Sequence, residues 1–364
     1  MGRVGPSHPP SAATWGEVAP LLASGRPLAY EQARSLMRSI MEGELDDARL
    51  AALLSIMAVR GVAVSELLGL ADQMQAGAEK IDLPSDVVDV VGTGGDEAGT
   101  VNISTMAAIL LAAANYPVVK HGNRASTSSS GSADVLEALG VKLAARNSSI
   151  IEAFDQVGIA FLFANKFHPS MRHAARVRRV LGFPTAFNVL GPLTNPVAPH
   201  ASVVGVARQE AAPLVSGVFA ERGTSAFVIR GENLGLDELT TVEPSRLWII
   251  QDGKVTEHVV DPAEILGLKE ATLDQLVGGA PEENAVIARD LFEGHRGPVF
   301  DAVALNAALG IMASDVATGR STADWHDQAQ FNQGLADAFE VAAETLASGA
   351  AGDTVDRWVR ATED

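Results

Sequence analysis

From residue 30 to residue 80 apolar side chains recur at helical spacing: Ala33, Leu36, Met37 and Ile40, then Leu50, Leu53, Leu54 and Met57. The spacing predicts consecutive short helices, the second capped by Asp46 or Asp47 and ended by Gly61, the third beginning at Ser65. Near Asp86 the pattern changes. Val87, Val88, Asp89, Val90 and Val91 make a β-branched run that stops at a glycine-rich turn, and an Ala/Leu-rich helix follows from Ser104. The same order recurs. Residues 117–120 read as a strand, 132–139 as a helix ended by Gly140, and 149–157 as a helix ended by Gly158, with Ser149 and Glu152 at capping-box spacing. Residues 159–164, 202–207 and 226–230 read as strands, with a helix over 211–222 between the last two. Such alternation implies an α/β domain with a mostly parallel sheet. Residues 247–260, centred on Asp252-Gly253, predict a hairpin. The remaining C-terminal third reads as mainly helical, without a tandem repeat. Residues 167–182 read as one basic helix carrying Arg172, Arg176, Arg178 and Arg179. It is expected to pack back against the N-terminal helices, which makes the small domain discontinuous.

The expected organisation is a disordered Pro/Ser/Gly-rich tail over 1–14, a helical domain over 15–85 joined by the segment around 167–182, and an α/β domain over 86–364. With 364 residues and 47% hydrophobic content the chain can bury a large core. A net charge of -18 and a pI near 4.8 argue against broad contact with nucleic acid or anionic lipid. A small anionic ligand then needs local positive charge set against that field. Cysteine is absent, which excludes disulfides, thiolate zinc sites and cysteine nucleophiles. The tail lacks the apolar stretch of a signal peptide, and the apolar run over 106–114 falls short of the roughly 20 residues that cross a bilayer. A soluble, cytoplasmic enzyme is the expectation.

Candidate chemistry gathers at strand ends. Gly92-Thr93-Gly94-Gly95-Asp96 follows the first strand, and glycines let backbone N–H groups approach phosphate oxygens ahead of a helix N-terminus. By itself the motif is as well explained by a tight structural turn. Thr100, Asn102, Ser104 and Thr105 then bring hydroxyls and an amide to the helix start, compatible with capping or ligand binding. Lys120, His121, Asn123 and Arg124 crowd beside Gly122 and a serine-rich stretch, which favours anion recognition over surface decoration. Asp237 and Glu238 are expected on an exposed loop. Adjacent carboxylates there are commonly just solvated, but beside phosphate donors they suit Mg²⁺.

In order along the chain, GTGGD, TVNIST, KHGNRA with GSADVLEALG, HPSMRHAARVRRVLG, FNVLGPLTNP and GLDEL resemble the motif set of the anthranilate phosphoribosyltransferases, from about Leu45 onward. The resemblance implies a small α-helical N-terminal domain and a large α/β domain of nucleoside-phosphorylase-like architecture, assembled as a homodimer through the small domain. It implies transfer of the phosphoribosyl group from 5-phosphoribosyl 1-diphosphate to anthranilate, with Mg²⁺, two ions per subunit. Gly92, Gly95, Asp96, Thr100, Asn102, Ile103, Ser104 and Thr105 match the first loop for the phosphoribosyl substrate. Lys120, His121, Gly122, Asn123, Arg124, Ala125, Ser126, Thr127, Ser128 and Ser132 match the second. Asn123 and Arg178 match positions that meet anthranilate, Gly92 lies near both substrates, and His168 and Pro192 lie in motifs lining the anthranilate route. Ser104, Asp237 and Glu238 match metal positions, and Lys120, Asp237 and Glu238 carry the catalytic expectation. The chain departs from the pattern at Glu97, where glycine is commoner, and at Glu232-Asn233-Leu234, where Asp-Gly is usual. A pyrimidine nucleoside phosphorylase of the same fold is the nearest rival, with a different lysine-loop pattern. A non-catalytic nucleic-acid binder is the other, opposed by the charge and by the intact Asp237-Glu238 pair.

Overall fold

In the computed structural model, residues 11–125, 129–143 and 146–363 are described. Helices open the chain: α1 Ser11–Ala23, α2 Tyr30–Met41, α3 Asp47–Arg60 and α4 Val64–Ala76. Strand and helix then alternate through β1 Val88–Gly92, α5 Ile103–Ala113, β2 Val118–Gly122, α6 Ser132–Ala138, α7 Asn147–Val157 and β3 Ile159–Phe163. After α8 Ala164–Phe167 and α9 Arg172–Leu181 come β4 Ala201–Gly205, α10 Ala211–Arg222, β5 Ser225–Gly231 and the hairpin β6 Ser245–Gln251 with β7 Lys254–Val260. The C-terminal helices are α11 Pro262–Leu266, α12 Pro281–Phe292, α13 Pro298–Ala317, α14 Gln328–Ala347 and α15 Ala350–Ala361.

Contacts divide the chain into two units. The first holds the described residues up to Glu79 together with Asn165–Thr194, and is wholly helical. Its α2 and α4 bury Leu36, Met37, Ile40, Leu67 and Leu70. The expected tail is corrected at its end, because Ser11 already begins α1, whose Val18 and Leu22, four residues apart, are buried. The Asp46 carboxylate caps α3 by accepting the Arg49 N–H at 2.9 Å, as the sequence predicts. Helix α4 starts at Val64 rather than Ser65. There the buried Glu66 carboxylate, in the first turn of α4, accepts the N–H groups of Ala63 and Leu28, each at 2.8 Å, and the Arg60 guanidinium at 2.7 Å, so a carboxylate three residues past the cap position satisfies the helix start in place of the Ser65 hydroxyl. The single helix expected over 167–182 is broken, since Pro169 opens a separate 3-10 turn before α9. Helix α9 packs on α2 and α3 within this unit.

The second unit, Lys80–Ala164 and from Asn195 onward, is built on a sheet of order β3-β2-β1-β4-β5-β6-β7. The strands from β3 to β5 run parallel, while β6 and β7 pair antiparallel. Asp252 and Gly253 take positive φ at the hairpin turn, 53° and 71°, as a primed turn requires. Helix α7 begins at Asn147, with Arg146 at the cap position and Ser149 inside its first turn, so the helix starts ahead of the cap-forming Ser149 that the sequence singles out. Helix α13 is long and apolar enough to cross a bilayer, but it is mostly buried, packed against α5 and β4.

Candidate active site

Strand order reverses direction at β1: β2 and β3 follow on one side, β4 and β5 on the other. In open α/β sheets the crevice beyond the carboxyl ends at such a switch point is where ligands bind. Here Gly92 and Gly205 end β1 and β4 and pair with each other. Both glycines make room for Asp237, delivered by the loop after β5. A Cβ on Gly92 would lie 2.4 Å from Asp237 Oδ2, and one on Gly205 only 1.6 Å from the Asp237 carbonyl oxygen. The Gly94 N–H donates to Asp237 Oδ2 at 3.0 Å.

Asp237 is therefore buried, 6% exposed, which corrects the expectation of an exposed loop. Sequence spacing could not show it, because the burial comes from strands some 30 and 140 residues upstream. Oxygens of Asp96, Asp237 and Glu238 lie within 4.8 Å of one another. Burial, then the Asp237 charge, pushes the Asp96 carboxyl up to about 6. Burial likewise raises Asp237, and burial with the charges of Asp237 and Asp96 lifts Glu238 well above the carboxylate range. Asp96 Oδ2 and Glu238 Oε2 are buried without a hydrogen-bond donor. Crowded carboxylates holding orphaned oxygens fit a hard divalent cation, whose preferred ligands are carboxylate oxygens. In sequence Asp96 belongs to the phosphoribosyl loop, and no spacing joins it to the Asp237-Glu238 pair.

Several contacts stiffen this loop. Asn306 of α13 exchanges two bonds with Leu239, accepting its N–H at 3.2 Å and donating to its carbonyl at 2.8 Å. The departing segment is also tied down: Arg246 grips Glu232 at 2.8 and 3.2 Å, and buried Glu243 accepts the N–H groups of Asn233 and Leu234 at 2.6 and 2.9 Å. At the other departure, Glu97 sits at φ 59°, the left-handed conformation that glycine adopts without steric cost.

Lys120, 1% exposed, donates to the Val90 carbonyl and to Ser104 Oγ, the latter at 3.2 Å. Burial lowers its ammonium to about 8 against the opposing pull of Asp89, Glu238 and Asp237. Asp89, equally buried, accepts Asn195 Nδ2 at 2.9 Å and the His121 N–H at 3.3 Å, and burial pushes it up to about 6. Asn102 precedes α5, whose N-terminus holds Ile103, Ser104 and Thr105 at the carboxyl end of the sheet, a favourable field for an anion.

In the second loop, Ser126, Thr127 and Ser128 lie outside the described residues. The loop is pinched shut where Asp134 Oδ2 accepts the N–H groups of Ala125 and Gly131, each at 2.9 Å. Arg124 is committed to Asp134 at 3.0 Å and Glu137 at 2.5 and 2.9 Å, so its charge is locally balanced. Asn123 accepts the Arg124 N–H at 2.9 Å, and Ser132 opens α6.

Arg178, His168 and Pro192 belong to the helical unit. Of the four arginines in its basic segment, Arg172, Arg176 and Arg179 are exposed, and Arg176 pairs with Asp47 at 2.8 Å. Arg178 alone is half-buried, its guanidinium 5.4 Å from the Phe187 ring centroid and its pKa lowered by burial. His168 is buried with Nε2 2.8 Å from the Thr194 carbonyl oxygen, and burial lowers its pKa. Pro192 is buried in a 3-10 turn.

A family model described as glycosyl transferase family, a/b domain, matches residues 84–352, and one described as glycosyl transferase family, helical bundle domain, matches residues 21–78. An anthranilate phosphoribosyltransferase of Arthrobacter sp. (strain FB24) is 46% identical over 349 residues, 96% of either chain. That of Rhodococcus opacus is 46% identical over 351 residues, 96% of this chain and 94% of the relative. The chain belongs to the anthranilate phosphoribosyltransferase family. Among solved members of that family, the Thermus thermophilus enzyme is similar at a TM-score of 0.85 with 39% identity, covering 96% of this chain and all of that one. The Saccharomyces cerevisiae enzyme in complex with PRPP and Mg gives 0.82 with 26% identity, covering 97% and 98%.

Proposed function

We propose that this chain transfers the phosphoribosyl group of 5-phosphoribosyl 1-diphosphate to the amine of anthranilate, giving N-(5-phosphoribosyl)anthranilate and diphosphate, as a step of tryptophan biosynthesis. The observation that carries this reading is the carboxylate trio Asp96, Asp237 and Glu238 at the switch point, beside the GTGGD loop and the α5 N-terminus. Breaking the bond from C1 to the diphosphate oxygen leaves positive charge on the ribose and negative charge on the leaving group. Magnesium, when bound, would supply charge to neutralise that leaving group, and two ions per subunit is the proposed stoichiometry, to be counted by calorimetric titration. Asp237, Glu238, Asp96 and Ser104 would hold the metal. Gly92, Gly95, Thr100, Asn102, Ile103 and Thr105 offer the first phosphate loop, and His121 to Ala125 with Ser132 the described part of the second. Lys120 adds positive charge close to the trio and orients Ser104. The anthranilate amine is of aniline type and attacks as the neutral base, so no residue is nominated to deprotonate it beforehand. Arg178 holds the carboxylate and aims the amine, and Asn123, His168 and Pro192 are the further residues assigned to anthranilate. The test is fluorescence: anthranilate emission should fall only when phosphoribosyl diphosphate and Mg²⁺ are both present. Release of free base from a nucleoside and phosphate, with anthranilate left unconsumed, would transfer the protein to the phosphorylase reading.

Arg178→Ala is expected to raise KM for anthranilate about ten- to a hundredfold, the cost of one charge-assisted bond of about 1.5–3 kcal/mol, and to leave KM for phosphoribosyl diphosphate nearly unchanged. Arg179→Ala, at an exposed neighbouring position, should do much less. Equal effects from the two variants would mean that Arg178 has the wrong role.

A homodimer through the helical unit is the proposed assembly. Val59 of α3 and Val180 of α9 are 90% and 78% exposed, and Phe183 is 43% exposed, an apolar set that association would cover. Light scattering is expected to give twice the chain mass of 37.9 kDa. A monomer at micromolar concentration would refute this.

A further inference from the structure

The first phosphate loop is not held in place by its own sequence. Asn102 donates through Nδ2 to the Ser130 carbonyl at 3.0 Å, and its Oδ1 accepts Ser130 Oγ at 3.2 Å and Asn284 Nδ2 at 2.9 Å. Three of the four bonds an asparagine amide can make are therefore spent inside the protein. Asn284, 3% exposed in the first turns of α12, turns its Oδ1 back to accept the Gly279 N–H at 2.8 Å. The Gly278-Gly279 turn in turn lies along the first loop: Val101 donates to the Leu276 carbonyl and Gly278 to the Gly99 carbonyl, each at 2.9 Å. A Cβ on Gly278 would come within 2.5 Å of Asn284 Oδ1, so glycine there is what admits the amide. Asn284 thus bonds both the Gly279 turn just before its helix and, 182 residues upstream, the Asn102 amide that itself holds Ser130.

We infer that Asn284 is a positioning residue for the phosphoribosyl diphosphate site, a tie that sets the spacing between the two phosphate loops by fixing the Asn102 amide. This rests on the reading of those loops as the phosphate-binding elements. It also divides the labour of Asn102: its side chain braces the loops, and its backbone faces the ligand.

Asn284→Leu keeps the volume and removes the amide. It is expected to raise KM for phosphoribosyl diphosphate on the order of tenfold, the effect of one buried hydrogen bond, with KM for anthranilate moving less than about threefold. Hydrogen exchange in the substrate-free protein should quicken at Val101 and Gly278, whose bonds Asn284 does not itself make. Asn284→Asp keeps the acceptor for Gly279 but sets a carboxylate against Asn102 Oδ1, so it should be at least as damaging. Should both fail to fold, Asn102→Asp probes the opposite side: it preserves the bond from Asn284 but opposes an oxygen to the Ser130 carbonyl, and should show the same selective rise in KM. A fall in Tm with unchanged KM for phosphoribosyl diphosphate would reduce Asn284 to a packing residue, as would wild-type behaviour of Asn284→Asp or unchanged exchange at Val101 and Gly278. A wild-type protein that fails to consume anthranilate would instead overturn the proposed reaction, and the exchange measurement would still decide the tie.

Discussion

Asp237→Asn combined with Glu238→Gln is expected to cut turnover by roughly a thousandfold or more, the scale of losing charge stabilisation at a reacting centre, while the metal-free protein melts at the wild-type temperature or above it. The second half follows from burial. Carboxylates raised by burial and by one another favour the protonated state in the folded chain, so their stabilising share is complete below their ordinary values and is lost as pH rises, through about 6 for Asp96, with Glu238 raised in the same direction. Amides do not titrate there, and they relieve the repulsion. A divalent cation binds the ionised form and must displace protons, so the Mg²⁺-induced rise in Tm should be small at pH 5 and large at pH 8 in the wild type, and absent from the double variant. Circular dichroism verifies the fold, thermal melts with and without Mg²⁺ test the linkage, and normal turnover in the variant would remove these residues from the metal site.

Gly205→Ala should be nearly as damaging, although the residue carries no chemistry. Its new Cβ would fall 1.6 Å from the Asp237 carbonyl oxygen, and reaching ordinary contact requires a shift of about 2 Å. Asp237 cannot move freely, since Gly94 holds its carboxylate and Asn306 holds Leu239 two residues on. We expect a loss of about 1–3 kcal/mol in stability from overpacking, and a fall in kcat/KM of at least about a hundredfold, because a displacement near 1 Å already costs that much. Gly16→Ala is the control: it lies in α1 with nothing within 4 Å of the added methyl, and it should leave kinetics untouched. Wild-type kinetics in Gly205→Ala would show that the position of Asp237 is unimportant.

Much of this was legible in the chain because it is encoded locally. Helical spacing, β-branched runs and glycine or aspartate boundaries marked α2, α3, β1, α10 and the β6–β7 hairpin, since each depends on periodicity or turn chemistry within a few residues. The ordered motifs pointed to the family for the same reason, as short segments retain their identity whatever surrounds them. Only Arg178, among four arginines of one helix, is set against an aromatic ring and partly buried, and that choice depends on where Phe187 lies in the folded unit. Local sequence also left open where α7 begins, and it gave no sign that Glu66, in the first turn of α4, would bond Leu28 from across the unit as well as Ala63 beside it. The gathering of Asp96 with Asp237 and Glu238, the burial of Asp237, and the bracing supplied by Asn284 and Asn306 join positions 67 to 182 residues apart. Such pairings have no period and no motif, because strand order and the removal of two Cβ atoms at Gly92 and Gly205, rather than neighbours in the chain, bring them together.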